Sequence, residues 1–579
     1  MIIPIRCVFL VISRAHLCVH TDSGELAFEL SLLFISLLPY HTMAPLPQFT
    51  SPVDVLVIGS GNAGFTAATQ AAEAGVNRVV LIDKCPQEWA GGNSFFTAGA
   101  FRTVHNGTSD LLPIVNNVTP EMASLIDLEP YKPADFRTDM DRMTSGRTDP
   151  QLSEVLISES NSAVKWLAKQ GIRFQLSFNR QAYKVNGRFK FWGGMSLKTD
   201  EGGKGLIQDH QNAALRHGVE VYYSTAAKRI ITNPTTGSVS GVVVEVDGVD
   251  KLITTKAVIL AAGGFEANPR MRSQFLGPGW DLARVRGTPY NTGEALEFAI
   301  RDVNAKQAGN WSGCHSTCWD ANAPANSGDR VISNEFTKSG YPLGLMLNNR
   351  GERFVDEGVD MRNFTYAKFG RAIHGQPEGV AFQVWDQRAI PWLRDEEYRD
   401  AVVEKIWGET LEELAEKCAK RGLEDPAGFV ETIKEYNVAV EAAERERPVS
   451  MTWDPAVKDG LSTQSSKVKL ALPKSNWALP VSQGPFMAVK VCCGITFTFG
   501  GLAIDPKSTA VISQSGKEVK GLFAVGEMLG GLFYGNYPGG SGLTSGAVFG
   551  RRAGKAAAKM VGAKRLNDAS SIPAVLSRL

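Results

Sequence analysis

The segment Gly59-Ser60-Gly61-Asn62-Ala63-Gly64 sets three glycines at a spacing that suits one chemistry, the binding of a dinucleotide pyrophosphate. It follows an aliphatic, β-branched run, Val53 to Ile58, and opens an alanine-rich stretch, Phe65 to Ala74, that ends at Gly75. A second apolar run, Val79 to Ile82, closes on Asp83. Strand, glycine turn, helix, strand and acid thus arrive within about thirty residues, in the order a dinucleotide-binding βαβ unit demands. In such a unit Gly59 allows the tight turn, Gly61 leaves the backbone bare beside a phosphate, and Gly64 lets the helix pack on the strand. The first N–H groups of the helix point at the phosphate, and Asp83 is placed to accept from ribose hydroxyls.

Other chemistry-bearing residues are sparse. The 8 cysteines include no C-x-x-C pair, and Cys492 and Cys493 are adjacent, a spacing that suits neither a zinc site nor an ordinary disulfide. They read as reduced thiols packed in a core, with no metal expected. Among the 8 histidines, His105 and His374 lie in polar stretches and read as structural. The net charge of +1, with Lys and Arg scattered along the chain, gives no footprint for nucleic acid or an anionic membrane. A small molecule is the expected partner.

At 579 residues the chain exceeds one core at roughly 100–200 residues per domain. Gln151 to Gly171 carries a helical pattern with Val155, Leu156, Val164 and Leu167 apolar, and Leu206 to Arg216 reads as another helix behind Gly202-Gly203-Lys204-Gly205. Val219 to Tyr223 and Gly241 to Val246 read as strands, and Ala257 to Leu260 as a buried strand that ends in Ala261-Ala262-Gly263-Gly264-Phe265. Glu409 to Lys420 and Pro426 to Arg447 are helical and charged, and glycine-rich sequence returns from Gly500 to Gly550. These textures predict an α/β fold: a Rossmann-like cofactor domain, split in sequence, with an inserted α+β capping domain.

From Val53 to Met560 the motifs resemble the fumarate reductase and succinate dehydrogenase flavoprotein superfamily, and within it tricarballylate dehydrogenase. Gly91-Gly92-Asn93-Ser94 with Thr97-Ala98-Gly99-Ala100 resembles its flavin-facing loop, Asn291-Thr292-Gly293-Glu294 its turn into a helix, and Gly351 to Glu357 its entry to the capping domain. Gly521 to Glu527 and Gly539-Gly540-Ser541-Gly542-Leu543 resemble its closing FAD motif. The resemblance implies FAD, held by Gly59, Gly61, Asn62, Ala63, Gly64, Asp83, Lys84, Gly92, Asn93, Ser94, Gly99, Ala227, Ala262, Gly263, Gly264, Gly293, Glu527, Ser541, Gly542 and Leu543. The loop from Gly92 to Gly99 lacks the histidine that tethers the cofactor in succinate dehydrogenases, so non-covalent FAD is expected.

The implied reaction is hydride exchange between flavin and a carbon–carbon bond of a small carboxylated substrate, while a protein group handles a proton. By motif position Arg388 falls on or near the family's proton-transfer arginine, with Glu357 and Arg362 as relay partners. Two departures stand out. Phe497 in Gly494-Ile495-Thr496-Phe497-Thr498 occupies the place of the fumarate reductase histidine, leaving Thr496 and Thr498 as substrate-facing hydroxyls, and Tyr537 stands where a substrate-clamping arginine is expected. Tyr537 is either an acid/base phenol, as in ketosteroid dehydrogenases, or a structural one. The resemblance therefore implies a dehydrogenase or desaturase, with an ene-reductase or ketosteroid-dehydrogenase-like enzyme as the alternative, and a flavin-binding protein with a decayed site as the non-enzymatic one. The electron acceptor is not identified by sequence.

The domain expectation is a leader at 1–50, in which residues before Met43 read as an over-long gene model, then cofactor domain 51–335, capping domain 336–498, cofactor domain 499–565 and a tail, 566–579. The apolar runs Cys7 to Ile12 and Leu32 to Leu38 are far shorter than the ~20 residues a membrane span needs. The terminal Ser577-Arg578-Leu579 is one conservative change from a peroxisomal address, so cytoplasmic and peroxisomal residence are both open.

Overall fold

The computed structural model describes residues 51–563, and the expectations for the leader and the terminal tripeptide lie outside the described residues. Val53–Ile58 is buried along nearly its whole length. It pairs in parallel with Val79–Ile82 on one side and with the end of Val249–Leu260 on the other, so that Val57 lies between Leu81 and Ile259. Wholly apolar parallel strands need cover on both faces, which is why these runs do not alternate. Glu220–Tyr222 extends the sheet beyond Val79–Ile82, and Glu518–Ala524 joins Val249–Leu260 in parallel. The first half of Val249–Leu260 instead forms an antiparallel meander with Val239–Val246 and Ala226–Thr232.

The glycine-turn helix runs Asn62–Glu73, beginning three residues earlier than its apolar pattern suggested. The C-terminal helix Ser541–Met560 packs directly along it through glycines four residues apart. A Cβ at Gly546, Gly550 or Gly554 would lie 2.7 Å from Asn62 Nδ2, 2.8 Å from the Ala63 carbonyl oxygen and 2.6 Å from that of Ala67, respectively. The contacts advance in the same direction on both helices, so the two lie parallel and their N-termini end side by side.

A second, six-stranded sheet is organised around one long strand, Phe486–Leu502. Val380–Trp385 and Arg284–Val285 line one edge of it, and Ile406–Gly408 and Gln307–Asp320 the other. The helices Leu411–Ala419 and Pro426–Glu446 bury Leu414, Phe429, Ile433 and Tyr436 with Phe382 and Leu345 of this sheet. The sheet crosses both expected domain junctions: Gln307–Asp320 precedes residue 336, and Phe486–Leu502 runs unbroken through 498 and 499. One strand therefore links the capping lobe to the cofactor domain and carries Thr496 to Phe499 between them. The six cysteines among the described residues are all free and buried. No described helix is long and apolar enough to cross a membrane.

Candidate active site

One elongated cavity, about 2090 Å³ counting the solvent at its mouth, takes its walls from nearly every glycine-rich segment singled out in the sequence. The N-termini of Asn62–Glu73 and Ser541–Met560 open onto it at Gly61, Asn62, Ala63, Gly542 and Leu543. Each helix start leaves N–H groups without intrahelical partners, so two positive dipole ends converge on one wall. Asp83, Lys84, Gly92, Asn93, Ser94, Ala227, Ala262, Gly263, Gly293 and Glu527 also line the cavity.

The glycines of the turn separate by function. A Cβ on Gly59, whose φ is +110°, would overlap the Ala261 carbonyl, and one on Gly64 would overlap the Gly59 carbonyl, so both are fixed by packing of the chain on itself. Gly61 has extended backbone, and a Cβ there would find nothing nearer than Ser94 Oγ at 3.6 Å. No protein atom explains that glycine. The bare space beside two helix N-termini fits a pyrophosphate, and the cavity that continues from it fits the rest of a dinucleotide.

Four expected cofactor residues stand behind the wall. Gly64 is hemmed in by the Gly59 backbone and Gly99 by Thr199 and the Gly202 backbone, Gly264 lies under Thr498 and Glu527, and Ser541 is fully buried with Oγ donating to the Pro538 carbonyl at 2.5 Å. Asp83 accepts from both the backbone N and Oγ of Ser60 at 2.7 Å, which pins the turn to the second strand. Lys84 is paired with Glu294 at 2.7 Å. Glu527 accepts from the Thr498 backbone N at 2.6 Å and Oγ1 at 3.0 Å.

The far end of the cavity lies where Phe486–Leu502 meets the capping lobe. Thr496, Phe497, Thr498, Phe533 and Tyr537 line it, joined by four residues not anticipated from the sequence: Arg180, Arg286, His315 and Tyr366. Arg362, expected as a relay partner, lines it as well. Its Nη1 donates to Ser339 Oγ at 3.0 Å and its Nη2 to the Arg180 carbonyl at 3.2 Å. Ser339 Oγ in turn donates to the fully buried Glu397 carboxylate, whose other oxygen faces Arg394 at 3.6 Å and Arg180 at 3.7 Å. Burial lowers the pKa of Arg362, against the opposing pull of Glu397.

The hydroxyls of Tyr366 and Tyr537 are hydrogen-bonded to each other. Burial raises both pKa values, so both phenols are neutral at ordinary pH. His315 packs edge-on to Tyr366 and within 5.0 Å of the Tyr537 ring centre, and burial together with the charge of Arg286 holds it well below its usual pKa. It is therefore a neutral imidazole.

Two expected site residues lie elsewhere. Arg388 is not on the cavity wall: it is folded back on Asp386 at 2.6 Å and onto the Pro480 carbonyl, with a third of its side chain exposed. Glu357 is buried in an ion pair with Arg353 and accepts from the Met346 backbone at 2.9 Å. The ion pair explains Glu357 as a support of the capping lobe, and of Arg388, Glu357 and Arg362, the residues expected by motif position to handle the proton, only Arg362 lines the cavity. Alternation along Gln307–Asp320 and Phe486–Leu502 could have flagged His315 opposite Phe497, but only the pairing of the two strands brings them together. Among the described residues no group of three His, Cys, Asp or Glu side chains could hold a metal ion.

Known proteins are similar to this chain in sequence and fold. The family model described as "FAD binding domain" matches residues 54–543. A probable fumarate reductase of Shewanella frigidimarina is 27% identical over 509 residues, covering 87% of this chain and 74% of its own. The 4-oxocyclohex-2-ene-1-carboxylate 5-dehydrogenase of Sinomonas cyclohexanicum is 24% identical, covering 91% of this chain and 97% of its own. The open conformation of a flavocytochrome c3 fumarate reductase superposes with a TM-score of 0.63 at 25% identity, over 88% of this chain and 79% of that one. With two converging helix N-termini, a glycine that only a ligand explains and a family match across the described fold, the chain belongs to the FAD-binding flavoprotein superfamily of the fumarate reductases and is an FAD-dependent oxidoreductase.

Proposed function

We propose that this chain moves hydride between FAD and a carbon–carbon bond of a small carboxylated substrate, as a dehydrogenase or desaturase or, in the opposite direction, as an ene-reductase. FAD, held without a covalent link on the residues of the cradle, supplies the hydride acceptor or donor. The observation that carries the reading is the cavity-facing guanidinium of Arg362, linked through Ser339 to Glu397. Chemistry at a carbon–carbon bond separates a hydride from a proton, so a protein group must hold that proton at the neighbouring carbon.

Arg362 meets the requirement because burial weakens its hold on the proton and because its loss or gain is matched by a carboxylate one hydroxyl away. Ser339 Oγ accepts from Arg362 and donates to Glu397, so a proton can pass along the chain without either partner moving. Arg180 and Arg394 face the remaining oxygen of Glu397 and orient the carboxylate. Tyr366 and Tyr537 stay protonated and act as hydrogen-bond donors rather than bases. The names of two relatives, a reductase of fumarate and a dehydrogenase of a cyclic oxo-carboxylate, support a carboxylated substrate.

Within this class the motif pattern favours a tricarballylate-dehydrogenase-like substrate. The paired phenols favour a second reading, a ring ketone or enone whose carbonyl accepts from Tyr537. An anaerobic screen of the purified holoenzyme tests both. Saturated carboxylic acids or ketosteroids should bleach the flavin absorbance, or enoates should reoxidise the chemically reduced protein. If FAD is present in full yet no candidate changes its redox state in either direction, the reading fails and a flavin-binding protein with a decayed site is left.

A further inference from the structure

Arg286 is a buried cation with no anion. It retains 7% of its exposure, and its backbone N donates to the Ile495 carbonyl at 2.8 Å, which fixes it beside the long strand. Nη1 donates to Thr496 Oγ1 at 2.7 Å, Nη2 donates to Asn334 Oδ1, and Nε has no partner. The guanidinium lies over the Trp319 ring at 5.3 Å. Among the described residues no carboxylate comes within ion-pair distance of it, although it lines the cavity. The other cations there are engaged: Arg180 with Glu396 and Glu397, Lys84 with Glu294, and Arg362 with Ser339 and the Arg180 carbonyl. A desolvated guanidinium held only by neutral acceptors is unfavourable unless an anion completes it, and its planar fork matches a carboxylate.

The surfaces next to Arg286 are neutral and aromatic. His315, Tyr366, Phe497, Phe533 and Tyr537 form one contiguous cluster, with ring centres 4.9 Å apart for His315 and Tyr366 and 5.1 Å apart for Phe497 and Tyr537. A second or third substrate carboxylate would be desolvated against these rings or would have to reach Arg362, which among the described residues also lacks a carboxylate partner but which the proposed reaction commits to the proton.

We propose that Arg286 anchors the single carboxylate of the substrate, and that the substrate is a monocarboxylic acid with an apolar body rather than a di- or tricarboxylate. The inference rests on the reading of this site as a carboxylate-substrate oxidoreductase. It adds which residue binds the carboxylate and how many carboxylates the site accepts, and it departs from the motif pattern by setting tricarballylate itself aside.

The test uses the FAD-loaded full chain and a non-reacting probe, cyclohexanecarboxylate, with binding read from the perturbation of the visible flavin spectrum. Wild type should bind the acid saturably, and bind cyclohexanecarboxamide, fumarate and tricarballylate at least tenfold more weakly. Arg286→Met should weaken binding of the acid by about 10–150-fold, the range for a lost charged hydrogen bond, with the flavin spectrum retained. Thr496→Val, which frees one N–H of the guanidinium, should have a smaller effect in the same direction. Equal binding of acid and amide by wild type, or preference for fumarate or tricarballylate, would overturn the proposal, as would unchanged binding in a folded Arg286→Met. The wild-type comparison stands even if that variant does not fold. Probe binding as expected, with no acid able to reduce the flavin, would leave the anchor in place and defeat only the proposed reaction.

Discussion

The carboxyl groups of Glu266 and Glu527 meet inside the cofactor domain with no cation between them. Glu266 is fully buried, one of its oxygens accepts from the Asn291 amide at 2.6 Å and from the Asn93 amide, and the other has no donor in reach. Glu527 is its charged neighbour and accepts from Thr498. The nearest guanidinium, Arg272, spends its donors on the carbonyls of Glu266, Trp280 and Asp281, and Cys314 on the neighbouring strand is neutral because burial raises its pKa. Burial first, and then the charge of Glu527, push the Glu266 pKa well above the usual carboxylate range. Such a pair retains a proton to higher pH than a lone carboxylate does.

The sign of the resulting pH effect is fixed. The unfolded chain releases this proton near the ordinary carboxylate pKa, whereas the folded chain keeps it. The stabilisation is complete below about pH 4.5 and declines as pH rises toward the pair's folded value, by about tenfold in the folding constant per pH unit. Urea unfolding of the FAD-saturated protein from pH 5 to 9 should show this decline, and Glu266→Gln, which replaces the shared proton with an amide, should flatten it. Parallel curves for the two proteins would mean that the pair holds no proton.

Gly61 and Gly64 should respond differently to the same substitution. Gly61→Val should fold, because a Cβ there meets no protein atom closer than 3.6 Å, but it should lose FAD because the side chain fills the space left for the pyrophosphate. Gly64→Val drives a side chain into the Gly59 carbonyl and should not yield folded protein. Circular dichroism and flavin content together separate the two outcomes, and normal FAD content in Gly61→Val would show that the phosphate lies elsewhere.

Acid precipitation should leave the flavin in the supernatant. The loop from Gly92 to Gly99 offers no histidine, and the cavity-lining histidine, His315, stands among aromatic rings at the substrate end. Yellow colour that stays with the precipitated polypeptide would contradict this.

The cofactor cradle was legible in the sequence because its signals are local. Val53 to Asp83 encodes strand, turn, helix and strand in consecutive residues, and the glycine at 61 is understandable without knowing what packs around it. The substrate end was legible only in part: Thr496, Thr498, Arg362 and Tyr537 were named from motifs and line the cavity, whereas Arg180, Arg286, His315 and Tyr366 come from distant segments that no local pattern joins. Spacing after Gly351 to Glu357 favoured Arg388, yet the turn after Val380–Trp385 folds Arg388 back on Asp386, whereas the helix Arg362–His374 begins at the cavity. The four-residue repeat of Gly546, Gly550 and Gly554 was visible only as glycine richness. Its meaning, close approach to Asn62–Glu73, needed the partner helix.

The proton-handling assignment gives the sharpest test, because it distinguishes two arginines that motif spacing could not. Arg362→Gln should keep the flavin spectrum and lose turnover by about 10²–10⁴-fold, the usual worth of general acid–base assistance. Arg362→Lys should not rescue it fully, since an ammonium cannot donate to Ser339 and the Arg180 carbonyl with the geometry of the fork. Arg388→Gln should leave turnover near wild type and lower stability by only about 1 kcal/mol, because it removes a partly exposed pair with Asp386. Ser339→Ala separates relay from support. If Ser339 passes the proton between Arg362 and Glu397, its loss should lower kcat more than it raises KM and should change the pH profile of kcat. A purely structural serine would lower the unfolding midpoint without moving that profile. Wild-type turnover in Arg362→Gln, or a collapse of turnover in a stable Arg388→Gln, would return the proton to the motif position and remove Arg362 from the chemistry.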